Sequence, residues 1–350
     1  MKYTLILISA CFLVGMAYLF ISPVDLNPQA WTAPEDAGFT GAFTPNKRLS
    51  QVQRIEVRES HGPEDVDVDR QGRVYGGLQN GHIIRTTGKE TEVFADTGGR
   101  PLGLAFAGDD LIVADAYKGL LRITPDRRIT VLATEADGLP FAFTDDVDVA
   151  PDGRIYFTDA SYKYQQKDYQ ADGLEHQPNG RFLVYDPATK AVKTLVRDLY
   201  FPNGVAVSQD GDFVLVNETW NYRVLRYWIR GEKAGIMEPF ISNLPGFPDG
   251  ISRGESGTFW LALVSPRNPL LDSLGPWPGV RKILARLPKE LQPDAVPYAC
   301  VIGLDSEGRV VHNLQDPDAE KYGIITSIEE KNGRLWLGSL KEKAIGYYQL

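Results

Sequence analysis

After about residue 50 the chain alternates apolar and polar residues with a period of two, in short runs separated by turns that carry glycine. The run 51–58 is one example, and 73–75, 154–157 and 334–337 each follow a glycine turn. A period of two is the pattern of β-strands rather than of helices. The sequence therefore predicts an all-β protein built from many short strands.

One unit of this pattern recurs six times, usually as a proline, one residue of variable type, and then an alternating strand. The variable residues of the six units are Glu64, Leu102, Asp145, Asn203, Asp249 and Thr326. Spacings of roughly 40 to 75 residues suit a four-stranded blade with loops of variable length. We predict a six-bladed β-propeller, closed by pairing between the strand at 51–58 and the last strand, at 344–348.

Equivalent positions of a propeller lie on a ring around its central axis, so these six residues are expected to meet there. Three carboxylates and one amide at one level would repel each other without a positive charge between them. Calcium binds six to eight oxygen ligands and would remove this repulsion, although another divalent cation would also serve. The predicted metal ligands are Glu64, Asp145, Asn203 and Asp249.

The N-terminus carries a nearly unbroken apolar run from Leu5 to Ile21, close to the ~20 residues that cross a bilayer. A cleaved signal peptide and an uncleaved anchor both fit, and the length of the run favours the anchor. We predict an anchor helix at 1–23, a spacer at 24–50 and the propeller at 51–350. Either reading places the bulk of the protein outside the cytoplasm, on the periplasmic, lumenal or extracellular side.

Two insertions interrupt the repeats, at about 160–181 and 265–298. Long insertions in a compact fold are often functional, and we expect these two to form a lid over the channel. The basic and apolar stretch 280–287 is predicted to be helical, with contact to a membrane surface as an alternative role.

The net charge of −9 argues against a nucleic-acid partner. The four histidines have no zinc-type spacing and are expected in loops or at the surface: His61, His82, His176 and His312. Outside the apolar run, Cys300 is the one cysteine, and no motif marks it as a nucleophile.

Several longer motifs are specific, among them 114–120 (ADAYKGL), 156–161 (YFTDAS), 201–205 (FPNGV) and 245–249 (PGFPD). They resemble the six-bladed propeller superfamily of gluconolactonases, regucalcin-like proteins, paraoxonases and strictosidine synthases. The likeness is greatest to the strictosidine synthase-like branch that includes adipocyte plasma membrane-associated protein.

The resemblance implies that Glu64, Asn203 and Asp249 bind a metal, with Asp145 where relatives usually have asparagine. It also implies a second calcium at Asp65 and Asp146. Two departures from the superfamily concern catalysis. Leu102 replaces the catalytic histidine of paraoxonases, and Thr326 replaces the glutamate that drives strictosidine synthesis.

We therefore expect a metal-dependent hydrolase of lactones or of aryl and related esters. The ion would polarise the substrate carbonyl, and Asp249 or Asp145 would accept a proton from the attacking water. A propeller that binds a ligand or a protein without catalysis is the alternative. A synthase of the strictosidine type is disfavoured by Thr326.

Overall fold

The computed structural model describes residues 3–4, 15 and 17–350 of the chain. Within these residues, no helix is both long enough and apolar enough to cross a bilayer. Most of the predicted anchor at 1–23 lies outside the described residues.

Within the described residues, twenty-six strands, three α-helices and five short 3₁₀-helices have defined bounds. The first nine strands are β1 Gln53–Glu56, β2 Val66–Val68, β3 Val74–Gly77, β4 His82–Thr86, β5 Thr91–Asp96, β6 Pro101–Ala107, β7 Asp110–Asp115, β8 Gly119–Ile123 and β9 Ile129–Ala133. The next nine are β10 Glu135–Ala136, β11 Leu139–Pro140, β12 Thr144–Val149, β13 Ile155–Asp159, β14 Gly180–Asp186, β15 Ala191–Leu199, β16 Pro202–Val207, β17 Phe213–Glu218 and β18 Arg223–Trp228. The last eight are β19 Met237–Ile241, β20 Gly246–Arg253, β21 Phe259–Pro266, β22 Ala299–Leu304, β23 Val310–Asp316, β24 Ile325–Lys331, β25 Arg334–Ser339 and β26 Ala344–Gln349. The helices are α1 Tyr169–Glu175, α2 Pro269–Leu274 and α3 Pro278–Ala285.

The strands form six antiparallel four-stranded sheets, which confirms the predicted six-bladed propeller. Blades 1 to 5 are β2–β5, β6–β9, β12–β15, β16–β19 and β20–β23, and the strands β10 and β11 form a separate hairpin. Blade 6 combines β24, β25 and β26 with β1 from the other end of the domain. Ile55 pairs with Ile345 in that sheet, so the predicted closure of the ring is confirmed.

Buried apolar side chains fill all six spaces between neighbouring blades. Between blades 2 and 3, for example, Ala114 packs in one cluster with Phe157 and Leu183. Burial of one large apolar side chain stabilises a fold by about 1.5–3 kcal/mol. The blade interfaces, rather than a single central core, therefore hold the ring together and leave the axis free for polar side chains.

The segment predicted as a spacer, 24–50, packs against the propeller instead of spanning freely. Leu26 is buried among side chains of α1, α2 and α3, and Phe39 stacks on Tyr298 with ring centroids 4.9 Å apart. The segment 24–50 contains two short 3₁₀-helices, of which the second extends to Gln51, and no strand. Composition does not show that its scattered apolar residues are buried.

Candidate metal centre and the cavity above it

Five of the six ring residues are oriented by an irregularity that the inner strands of their blades share. In each of these blades the register with the neighbouring strand shifts across the ring position, as it does between Pro202 and Val205 in blade 4. Such bulges bend a strand and redirect a side chain. In blade 1 the ring residue Glu64 precedes β2, and its amide donates to the carbonyl of Gly77 (3.1 Å).

Gly204 shows why glycine follows the ring residue in blade 4. A Cβ at this position would lie 2.5 Å from the carbonyl oxygen of Asp249 in blade 5. The inner strands of the two blades approach too closely there for any side chain. The pair Asn203–Gly204 is therefore a blade contact within β16 and not the hairpin turn that such a pair usually forms.

The four predicted metal ligands line one cavity, and we call the part of the cavity that they form its floor: Glu64, Asp145, Asn203 and Asp249. All four are buried, with 3% of the surface exposed for Asp145 and 7–8% for the others. Leu102 and Thr326 line the same cavity and so complete the ring. Thr326 donates its hydroxyl to the carbonyl oxygen of Glu64 (2.5 Å), which gives this side chain a structural role.

Beyond the effect of burial, the Glu64 carboxylate disfavours the ionisation of the other two carboxylates of the ring, which raises the pKa of both. Burial raises the pKa of Asp249, and the Glu64 carboxylate raises it further. Burial, then the charges of Glu64 and Asp249, raises the pKa of Asp145 well above its usual range. The pKa of Glu64 is also raised by burial, although the Arg100 guanidinium acts in the opposite direction.

Arg100 is a component of the site that no sequence motif indicated. It is fully buried, and its Nη1 donates to the carbonyl oxygens of Gly62 (2.9 Å) and Gly77 (3.0 Å). Its Nε and Nη2 have no hydrogen-bond partner. One guanidinium against three carboxylates leaves the ring with an excess of negative charge.

Two buried carboxylate oxygens of the ring, Asp145 Oδ2 and Asp249 Oδ1, have no hydrogen-bond partner. Unpartnered buried carboxylate oxygens are costly unless a cation or a donor meets them. No group of three or more His, Cys, Asp and Glu in the described part of the chain has the arrangement of a metal cluster. The grouping of Glu64, Asp145 and Asp249 around one ion therefore stays a prediction, which rests on the chemistry of the donors, since carboxylate and amide oxygens are the ligands that calcium prefers.

Asp65 and Asp146, the predicted ligands of a second calcium, connect neighbouring blades. Asp65 accepts a hydrogen bond from the Leu104 amide in blade 2, and Asp146 accepts one from the Val205 amide in blade 4 (2.7 Å each). Each carboxylate also accepts the amide of the residue that follows it. Each of these bonded carboxylate oxygens has a second lone pair that could coordinate an ion. The second calcium therefore stays a prediction.

The walls of the cavity are mostly apolar, with a volume of about 160 Å³ between them. The inner ends of the blades contribute a set of aromatic side chains: Phe143, Phe201, Trp220, Tyr222 and Phe247. Both insertions line the cavity as well, through Tyr169 in the first and Val296 in the second. The 280–287 helix of the sequence prediction is α3, Pro278–Ala285.

His176 and Trp31 also line the cavity, and both were missed as site residues. Their rings stack with centroids 3.9 Å apart and an angle of 7° between planes. His176 lies in the loop after α1 with a φ of 49°, but it is 4% exposed and so is not the surface histidine that the sequence also allowed. Burial lowers its pKa to about 3, so the imidazole is neutral at physiological pH.

Solved structures with the same fold include a gluconolactonase from Xanthomonas campestris, which has a TM-score of 0.60 and 17% identity. That likeness covers 94% of this chain and 99% of the other. A calcium-binding regucalcin from Agrobacterium tumefaciens has a TM-score of 0.59 and 16% identity, over 84% of this chain and 92% of that one. The chain therefore shares the fold of these two proteins and belongs to the class of six-bladed propellers.

Within that class, the chain belongs to the strictosidine synthase-like family, in the branch of adipocyte plasma membrane-associated protein. The family models for strictosidine synthase and for the strictosidine synthase-like N-terminal region match residues 145–232 and 41–86. Strictosidine synthase-like 3 of Arabidopsis thaliana is 35% identical over 87% of this chain and 87% of its own length. Adipocyte plasma membrane-associated protein of Rattus norvegicus is 35% identical over 95% of this chain and 94% of its own length.

Proposed function

We propose that the protein is a calcium-dependent hydrolase of lactones or of aryl and related esters. The observation that carries the proposal is the pair of unpartnered oxygens, Asp145 Oδ2 and Asp249 Oδ1, at the floor of an apolar cavity. A lactone or an aryl ester is a neutral molecule with one polar carbonyl and an apolar remainder. The floor of the cavity would bind the carbonyl, and the apolar walls would bind the remainder of the molecule.

The side chains of the ring would hold the cation, and the cavity walls would bind the apolar part of the substrate. A cation at the floor would polarise the substrate carbonyl and offset the negative charge that develops on its oxygen. Asp249 or Asp145 would accept the proton of the attacking water. The aromatic walls exclude other water, which strengthens every charge interaction at the floor.

The test is hydrolysis of a panel of lactones and phenyl esters before and after chelation and after calcium is added back. We expect turnover that chelator abolishes and calcium restores. Asp249→Ala should abolish hydrolysis in a protein that stays folded, whereas Asp109→Asn, which neutralises an exposed turn carboxylate, should leave it unchanged. Turnover retained by Asp249→Ala would remove Asp249 from the mechanism.

A binding propeller without catalysis is the second candidate, because Leu102 leaves an apolar, buried group at one ring position. Tight calcium binding without turnover of any panel member would favour it. A lyase of the strictosidine synthase type is disfavoured, since Thr326 has no carboxylate and its hydroxyl is bonded to Glu64.

We also propose that the N-terminal run anchors the protein in a membrane with the propeller on the extracytoplasmic side. The support is the apolar sequence from Leu5 to Ile21. Protease added to sealed vesicles from expressing cells should reach the propeller only when the extracytoplasmic side faces outward. Digestion from the cytoplasmic side would contradict this topology.

A further inference from the structure

The insertion in blade 5 carries several large apolar side chains that are exposed to solvent. The members of this insertion face are Leu270, Trp277, Val280, Leu291 and Val296. Trp277 is 62% exposed and Leu291 66%. Concentrations of exposed apolar side chains mark interaction sites more often than isolated ones do.

The N-terminal apolar segment reaches the propeller beside the same insertion. Arg286, directly after α3, donates to the carbonyl oxygens of Leu19 (3.0 Å) and Ser22 (2.6 Å). Between them, Phe20 and Ile21 are exposed, Ile21 by 78%. The last turn of the apolar run is thus held against the insertion.

The residues that follow fix this arrangement. Leu26 is buried in a cluster that includes Leu271 of α2 and Leu284 of α3. The Arg281 guanidinium, buried in α3, donates to the carbonyls of Leu174 (3.0 Å) and Gly275 (3.1 Å), and also bonds the carbonyl of Gln29. The apolar segment and the insertion face are therefore parts of one packed unit.

The chemistry of the insertion suits a lipid headgroup region. Residues 278–289 contain four basic residues and no acidic one. A tryptophan and aliphatic side chains beside such a basic stretch are typical of segments that lie in the membrane interface. Arg281 is buried and Arg286 is bonded to the N-terminal segment, so Lys282 and Lys289 are the two that anionic lipid would meet, while Trp277 and Leu291 enter the upper acyl region.

We propose that the insertion face rests on the surface of the lipid bilayer, as a contact additional to the N-terminal segment. Val296 of this face lines the cavity, as do Leu271 and Arg281 of the same insertion. The contact would therefore place the roof of the cavity against the membrane. This inference does not depend on hydrolysis and is tested without a substrate.

The experiment measures tryptophan fluorescence of the full chain reconstituted in vesicles that contain anionic lipid, with and without lipids brominated in the upper acyl chain. We expect brominated lipid to quench part of the wild-type emission and Trp277→Phe to remove most of that quenching. Trp228→Phe is the matched control. Trp228 is half-buried in blade 4, and its loss should leave the quenched part unchanged.

Three results would overturn the proposal. One is the absence of quenching in wild type, and another is equal quenching in wild type and Trp277→Phe. The third is protection of Trp277 from a soluble quencher only at protein concentrations where the chain self-associates, which would assign the face to a second copy. Hydrolysis of a soluble ester by the same samples reports on the proposed function separately.

Discussion

Single side chains decide the charge of the ring, and Asp249 is the clearest case. Asp249→Asn removes one negative charge with little change in volume. We expect hydrolysis and calcium affinity to fall by about a hundredfold or more, since one charged ligand is lost. In chelated protein the same substitution should raise Tm by a few degrees, because repulsion among the buried carboxylates decreases.

Melting curves in chelator and calcium titrations of the same samples measure the two effects. Asp109→Asn is the control, as it removes a carboxylate from an exposed turn. If Asp249→Asn lowered Tm in chelator and left the calcium affinity unchanged, Asp249 would be neither a calcium ligand nor a source of charge repulsion in the ring.

Asp172 in α1 predicts a dependence of stability on pH away from the ring. Its carboxylate accepts from Ser161 (2.7 Å), Trp220 (2.9 Å) and Asn179 (3.3 Å), yet burial raises its pKa to about 7. A carboxyl with a raised folded pKa takes up protons on folding between its unfolded pKa, about 4, and about 7. The stability that it contributes at low pH is therefore lost as pH rises through that range.

The measurement is the difference in Tm between wild type and Asp172→Asn from pH 4 to 8. We expect wild type to lose stability relative to the variant up to about pH 7 and no further change above it. The variant also changes hydrogen bonding, but that effect is the same at every pH. A difference that stays constant from pH 4 to 8 would show that Asp172 ionises as readily in the folded protein as in the unfolded chain.

At the scale of elements, the segment at 24–50 packs against the propeller and contributes Trp31 to the cavity wall. Trp31 stacks on His176 and lies 6.4 Å from the ring of Tyr222. We expect Trp31→Ala to raise KM for aryl esters by about tenfold or more, because it removes a large aromatic surface from the wall. Trp31→Phe should retain most of the affinity.

Initial rates over a range of ester concentrations separate this effect on KM from one on kcat. A short lactone, which fills less of the cavity, should be affected less than a phenyl ester. An equal loss of kcat for both substrates, with KM unchanged, would mean that Trp31 acts on the floor of the site instead of on the wall.

The elements also show what the sequence could and could not predict. Ring residues such as Asn203 and Asp249 could be aligned, since each opens a copy of one repeated unit. Trp31, His176 and Arg100 could not, because no repeat carries them and their contacts join distant parts of the chain. The insertions that form the cavity walls occur once each, so no repeat in the sequence marks them. The ring positions recur in every blade and can therefore be found from the repeat.

At the scale of the whole molecule, the predicted metal ligands come from four of the six blades, since Glu64, Asp145, Asn203 and Asp249 belong to blades 1, 3, 4 and 5. Apolar clusters already join each blade to its neighbours. A cation at the axis would link these four blades, which are not all neighbours of one another. Calcium should therefore stabilise the propeller as a unit, and not only supply chemistry to the site.

The melting temperature should accordingly rise with calcium concentration and fall to a constant value in chelator. A ligand that binds only the folded state adds about 2.7 kcal/mol of stability at a hundred times its Kd. For a domain of this size that corresponds to a few degrees. Asp249→Asn should shift the dependence to higher calcium, whereas Asp109→Asn should not move it. If neither calcium nor chelator changed Tm, no ion at the axis would stabilise the fold. Among the described residues, Arg100 would then be the one buried cation near the ring.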